Sequence, residues 1–307
     1  MFVQPLVHII ILNYNGRKWL EACFKSLLQT AYENYKVMLA DNGSNDGSIE
    51  LVRRKFPQVE IIENKANLGF SEGNNVGIRR AMSLGAEYVV LLNNDVKVDP
   101  RWLSEMVNVG ESDEDIGILG AVQLNYEDDE FNNWTTAALN DHLEELAAPE
   151  KARQWIPVAW VEGSCFAVKR RVFDEIGLLD AIYFSFYEEI DFCRRARYHC
   201  YKIGLVPRSR IHHHRGGSWE SDPGKKRERD YHCDLGQFIY TLTDPGRSLI
   251  GNVGAHFVAF GIKIKDLFRS FSLDRAWDLL RMQRTLMRNC GSLLDKWKHD
   301  RNRLREA

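Results

Sequence analysis

Four short β-favouring runs near the start of the chain each stop on a polar turn, and that repetition restricts the fold more than any other feature. Val7-His8-Ile9-Ile10-Ile11-Leu12 stops on Asn13-Tyr14-Asn15-Gly16, and Val37-Met38-Leu39-Ala40 stops on Asp41-Asn42-Gly43-Ser44. Val59-Glu60-Ile61-Ile62 leads into the loop Asn64 to Gly69, and Tyr88-Val89-Val90-Leu91-Leu92 ends on Asn93-Asn94-Asp95. Between them, Leu20, Cys23, Phe24, Leu27 and Leu28 recur at helical spacing, and residues 71–84 predict a second helix. Strands alternating with helices across short turns predict an α/β fold, with a mostly parallel sheet covered on both faces.

In such sheets ligands sit beyond the carboxyl ends of the strands. Any one of these turns is an ordinary place for Asn, Asp and Gly. Four of them at one sheet edge imply a binding cleft. Asp95, flanked by two amides, suits a hard divalent cation that completes its shell with substrate phosphates. The chain therefore reads as one that handles a diphosphate. Neither Gly-x-Gly-x-x-Gly nor Gly-x-x-x-x-Gly-Lys-Ser/Thr is present, which argues against a dinucleotide site or a P-loop.

Past residue 115 the pattern loosens. Ile116 to Leu124 predicts a strand, Asn125 to Pro149 an acidic loop or flap, and Trp160 to Lys169 another strand. A helix from Glu188 to His199 opens with the carboxylates Glu188, Glu189 and Asp191, and Arg210 to His214 closes the unit. From about Arg227 only helices are expected. The 307 residues, 44% of them hydrophobic, carry a formal charge of −2, so no nucleic-acid partner is expected. The charge is uneven: residues 247–307 hold 13 Lys+Arg against 6 Asp+Glu. Six scattered cysteines without a Cys-x-x-Cys pair suggest reduced thiols in a cytoplasmic protein. No signal peptide is read at the N-terminus, and Leu249 to Ile264 is too short and polar for a spanning helix.

Taken in order, five motifs resemble one family. They are residues 8–16, Asp41 to Ser48, Asn67-Leu68-Gly69-Phe70 with Gly73-Asn74-Asn75, Leu91 to Asp95, and Phe186 to Arg195. The chain resembles the inverting family-two glycosyltransferases of GT-A fold, and within them rhamnosyltransferase-like enzymes. The resemblance implies a catalytic domain over 1–225, with nucleotide-sugar binding over about 1–120 and an acceptor side over about 121–225. Residues 226–307 would form a helical, basic extension for membrane or subunit contact. It implies that Asp41 reads the nucleotide base beside Leu12, Asn13 and Tyr14, and that Asn42, Asn67, Gly69, Asn74, Asn93 and Asn94 complete the donor site. Asp95 is similar to the metal-binding Asp of an Asp-x-Asp motif whose first Asp is here Asn93, which implies Mg²⁺ or Mn²⁺.

The Glu188-Glu189-Ile190-Asp191 segment matches the family's base-bearing segment, and Glu189 occupies the base position. Asp191 is the second candidate and Glu188 a positioning group. On an ideal helix Glu188 and Asp191 share a face, which leaves Glu189 about a quarter-turn away. The family's metal-reaching His corresponds to His213 or His214, ranked equally. Trp160, Glu162 and Gly163 match an acceptor-side segment, although a buried core tryptophan is nearly as good a reading of Trp160.

The expected activity is transfer of a sugar from dTDP-rhamnose or a UDP-sugar to a glycan or lipid-linked acceptor in cell-surface glycan assembly. The rivals are a sugar-phosphate nucleotidylyltransferase and a catalytically silent nucleotide-sugar binding module. The basic tail, with apolar residues from Phe257 to Trp297, fits an anionic membrane surface on the inner face of the plasma membrane. Packing on the catalytic domain, or on a second copy of the chain, is the alternative.

Overall fold

In the computed structural model, which describes residues 4–216, 223–270 and 272–306, the four runs become β1 (Val7–Asn13), β2 (Tyr35–Asp41), β3 (Glu60–Glu63) and β4 (Tyr88–Asn93). They lie parallel in the order β3-β2-β1-β4. The crossovers are α1 (Arg17–Leu27), α2 (Ser48–Lys55) and α3 (Gly69–Ser83). Strand alternation sends Ile9 and Ile11 into one core, beside Leu20, Phe24 and Val52 of α1 and α2. Ile10 goes to the opposite core with Met38, Ile78 and Ala81. Both faces of the sheet are thus buried, as near-continuous apolar strands require.

The chain continues through β5 (Val96–Val98), α4 (Trp102–Ser112), β6 (Ile116–Asn125), α5 (Asn133–Ala138) and α6 (Leu143–Ala147). It then runs through β7 (Ile156–Pro157), β8 (Cys165–Lys169), α7 (Arg170–Ile176), α8 (Glu188–Tyr198) and β9 (Lys202–His213). Among the described residues one nine-stranded sheet forms, in the order β3-β2-β1-β4-β8-β6-β9-β5 with β7 on β9. β8 is antiparallel to both neighbours, whereas β6 and β9 are parallel.

Two stretches differ from expectation. Only the last residues of β9 were readable, because Pro207 and its arginines break the strand pattern. The structure accommodates them at an irregularity: Ala121 pairs with Val206, yet Val122 pairs with Arg210, so the residues between are looped out of register. The expected acidic flap is folded. Its short helices bury Leu139 and Leu146 against Val122, Leu124, Ile156 and Leu205.

The tail forms α9 (Pro223–Leu242), α10 (Leu249–Ser270), α11 (Leu273–Arg288) and α12 (Cys290–Glu306). The boundary expected at residue 225 falls inside α9. Tyr231, Leu235, Phe238, Met282 and Leu286 pack with Tyr183 of the loop before α8. Asp191 on α8 is fully buried and meets Arg194 at 2.8 Å, Arg195 at 2.9 Å and Lys296 of α12 at 3.1 Å. Lys296 also meets Asp180 at 3.1 Å and Asp300 at 3.2 Å. All six cysteines are unpaired. Removing one member of a buried charge cluster strands the others, so Lys296→Ala should cost on the order of 3 kcal/mol. Thermal unfolding followed by circular dichroism checks this; an unchanged midpoint refutes the clamp.

Candidate active site

Side-chain amides tie the tips of the central strands together. Asn94 donates through Nδ2 to Asn13 Oδ1 at 2.8 Å, and Asn13 donates to Asp41 Oδ2 at 2.9 Å. The Ser44 N–H donates to Asp41 Oδ1 at 2.7 Å. Asn42 reaches sideways, donating to the Gly69 carbonyl at 2.9 Å and accepting from Asn64 at 2.9 Å. Gly69 has φ +76°, and a Cβ there would lie 2.3 Å from the Phe184 carbonyl oxygen, so only glycine fits.

These tips form one side of a cleft of about 1330 Å³. Leu12, Tyr14, Asn42, Asn67, Gly69, Asn93, Asn94 and Asp95 line it, as expected from the sequence. Glu162, Gly163, Glu188, Glu189, His213 and His214 line it as well. Asn13 and Asp41 are completely buried and lie behind this lining, as braces of the floor. Asn74 is not brought to the cleft: it is buried within α3 and donates to the Phe70 carbonyl at 2.9 Å. Trp160 is also outside the lining, edge-on to Trp134 with ring centroids 5.8 Å apart.

At the β4 end, His213 Nε2 stands 3.3 Å from Asp95 Oδ1 and 3.4 Å from Asn93 Nδ2. His214 does not share this position. It is exposed, with its ring 4.1 Å from that of Trp19, and only its backbone N–H reaches the Asp95 carbonyl, at 3.1 Å. Alternation along β9 explains the choice of His213. On the other face of His213, Nδ1 lies 3.0 Å from Gln123 Oε1.

Across the cleft, Phe186 and Tyr187 hold φ of 69° and 74°, a costly conformation that tends to cluster at functional sites. They deliver Glu188 and Glu189 side by side into the cleft. Each keeps one buried carboxylate oxygen with no hydrogen-bond partner among the described residues. Burial pushes the Glu189 carboxyl up to about 7, against the pull of nearby backbone N–H groups. Burial, then the neighbouring Glu189, raises Glu188 well above the ordinary carboxylate range. Asp191, the second candidate for the base, is not brought to the cleft. Its cluster of Lys296, Arg195 and Arg194 outweighs burial and holds it ionised.

Sequence reasoning missed Gln123, whose signal was a lone amide in an apolar strand. It also missed Tyr126, Asn132 and Asn133 of the flap, which line the cleft. Lys225, Arg229 and Arg281 of α9 and α11 line its mouth, though nothing local in the helical tail marked them.

The profile of the family described as "Glycosyl transferase family 2" matches residues 8–177, more than half of the chain. The chain belongs to this family. It is a glycosyltransferase. It is 25% identical over 253 residues to the N-acetylglucosaminyl-diphospho-decaprenol L-rhamnosyltransferase of Mycobacterium tuberculosis, covering 72% of this chain and 80% of the relative. It is 30% identical over 200 residues to the low-salt glycan biosynthesis hexosyltransferase Agl10 of Haloferax volcanii, covering 64% and 63%. The fold is similar to that of a mannosyltransferase from Pyrobaculum calidifontis solved in complex with GDP-Man and Mn²⁺, with TM-score 0.58 at 16% identity over 94% of this chain and 76% of the other. The GT-A fold expected for the chain is the one it has.

The raised Glu189 carboxyl carries a sign for stability. Its unfolded counterpart loses its proton at a lower pH, so folding is progressively disfavoured between the ordinary glutamate range and about pH 7. Glu189→Gln should therefore raise the melting temperature by a few degrees at pH 8 and leave it unchanged at pH 4. Melting curves at the two pH values check it; equal shifts would refute it.

Proposed function

We propose that this glycosyltransferase inverts the anomeric centre, moving one sugar from a nucleotide diphosphate donor to an acceptor hydroxyl by direct displacement. One observation carries the reading: two carboxylates on α8, each with a buried oxygen left without a hydrogen-bond partner among the described residues, share a cleft with the Asp95–His213 pair. The strand-tip side, with Tyr14, Asn42 and Asn67, receives the nucleotide. Glu189 accepts the proton of the acceptor hydroxyl as the oxygen attacks. Glu188, protonated beside it, positions that hydroxyl. Asp191 anchors the helix on which both stand.

The donor chemistry at Asp95 and His213 fits a divalent cation, a carboxylate oxygen and an imidazole nitrogen being 3.3 Å apart. Among the described residues no group of three or more His, Cys, Asp or Glu could hold a metal alone. Diphosphate oxygens and water would complete the shell. Such an ion would neutralise the departing diphosphate. Imidazole favours Mn²⁺ over Mg²⁺, and the mannosyltransferase neighbour was solved with Mn²⁺. The mycobacterial relative supports a deoxyhexose donor such as dTDP-rhamnose, with a UDP-sugar next, and a lipid-linked acceptor in cell-surface glycan assembly.

No described helix is long and apolar enough to cross a membrane. Ile250, Phe257, Val258 and Ile262 of α10, and Trp277, Leu280 and Met287 of α11, are nevertheless exposed. Arginines flank them in a tail of net positive charge, which fits an anionic bilayer surface. Because Lys296 belongs to the catalytic half's charge cluster, point changes test this better than truncation. Ile250→Asp with Phe257→Asp should abolish flotation with anionic liposomes; unchanged flotation refutes membrane contact through this face.

Release of nucleoside diphosphate from a panel of nucleotide sugars supports the transferase, whereas release of pyrophosphate from a nucleoside triphosphate supplied with a sugar 1-phosphate supports a nucleotidylyltransferase instead. Glu189→Gln should lower turnover about 10²–10⁴-fold while sparing donor affinity. Wild-type turnover should rise with pH through about 7, as Glu189 loses its proton. Full activity in Glu189→Gln would exclude it as the base. Asp95→Ala should abolish Mn²⁺-dependent donor binding, measured by calorimetry.

A further inference from the structure

We infer that Gln123 is a positioning residue that fixes which nitrogen of His213 carries the proton, so that Nε2 keeps its lone pair toward Asp95. The inference rests on the reading of Asp95 and His213 as cation ligands, and it follows from a chain of hydrogen bonds that starts at a backbone group.

The Thr135 backbone N–H can only donate, and it donates to Asn132 Oδ1 at 2.9 Å as the cap of α5. Asn132 must therefore present its Nδ2 group elsewhere, and that group donates to Gln123 Oε1 at 3.1 Å. Gln123 is buried, and its Nε2 donates to the Glu162 carboxylate at 2.5 Å. Flipping the Gln123 amide would set amide against amide at Asn132 and oxygen against carboxylate at Glu162, so one orientation survives. Oε1, an obligate acceptor, then faces His213 Nδ1 at 3.0 Å. A neutral His213 must carry its proton on Nδ1 and offer the Nε2 lone pair to the cleft. Asn93 agrees, since its Nδ2 group points at that same nitrogen from 3.4 Å. Nε2 and Asp95 Oδ1 then face one another as two acceptors, which a cation between them would join. Residues that bond the far nitrogen of a metal-ligating histidine set its tautomer and orientation in this way.

Two readouts test it. Nitrogen-15 correlation spectra of the imidazole should show His213 of the wild type with its proton on Nδ1. Gln123→Met keeps the volume and loses both polar ends. It should mix the tautomers and weaken Mn²⁺ binding in the presence of UDP about 10–100-fold by calorimetry. The double change Gln123→Glu with Glu162→Gln restores an acceptor for Nδ1 and a donor at 162, and should recover tautomer and affinity. A wild type that binds Mn²⁺ with its proton on Nε2 overturns the role of Gln123 alone. So does a Gln123→Met protein that melts normally and binds Mn²⁺ as tightly as wild type. A wild type with the Nδ1 proton that binds no Mn²⁺, with or without UDP, overturns the cation reading and this inference with it.

Discussion

A buried carboxylate that forms no ion pair among the described residues ties together the strand tips at the centre of this molecule. Asp41 is completely buried, and it is satisfied by an asparagine amide and a backbone N–H from the turn it begins. The same asparagine accepts from Asn94 in the turn that follows the neighbouring strand. Asn suits this position because its short side chain both donates and accepts, so bonds can be passed from one strand tip to the next. Parallel strands end on separate turns, and without such a relay those turns would move independently. Breaking it at any point would leave a buried polar group unpaired, at about 1–3 kcal/mol. The relay fixes the floor of the cleft on which Tyr14, Asn93 and Asp95 are displayed.

The first half of the fold was legible because its signals are local. Apolar strands, helical stripes and turn residues state their positions within a few residues of themselves. The second half was less legible where long-range pairing overrode local preference. Pro207 hides β9, yet a register irregularity against β6 takes it up. The flap reads as loop because helices as short as α5 and α6 show no full period of apolar residues. Of the two histidines ranked equally, only pairing in the folded sheet separates His213, beside Asp95, from His214, tilted against Trp19. Gln123 was legible as an oddity but not as a connector, since its partners lie far apart in sequence.

The helical tail shows the same limit more sharply. Its basic composition pointed outward, to an anionic surface. The structure also gives it an inward role, for Lys296 closes the charge cluster around Asp191 and Arg281 reaches the cleft mouth. One set of helices therefore both steadies the helix that carries the cleft carboxylates and exposes apolar side chains to solvent.

Helix α8 shows why a run of acids cannot be assigned by spacing alone. An ideal helix pairs Glu188 with Asp191, and dipole complementarity would treat all three acids of the first turn alike. Their surroundings separate them. Asp191 meets three cations and is held ionised, so it is a poor proton acceptor and a good anchor. Glu188 and Glu189 form no ion pair among the described residues; burial raises both, and their mutual repulsion favours a state in which one of them keeps its proton. Two titratable groups whose environments push them away from ordinary behaviour, next to a third that is pinned, form the kind of setting in which proton transfer is commonly arranged, in keeping with the role proposed for Glu189. The left-handed turn at Phe186 and Tyr187 makes that arrangement geometrically attainable, because it swings the first two side chains of the helix into the cleft before the helix closes over the third.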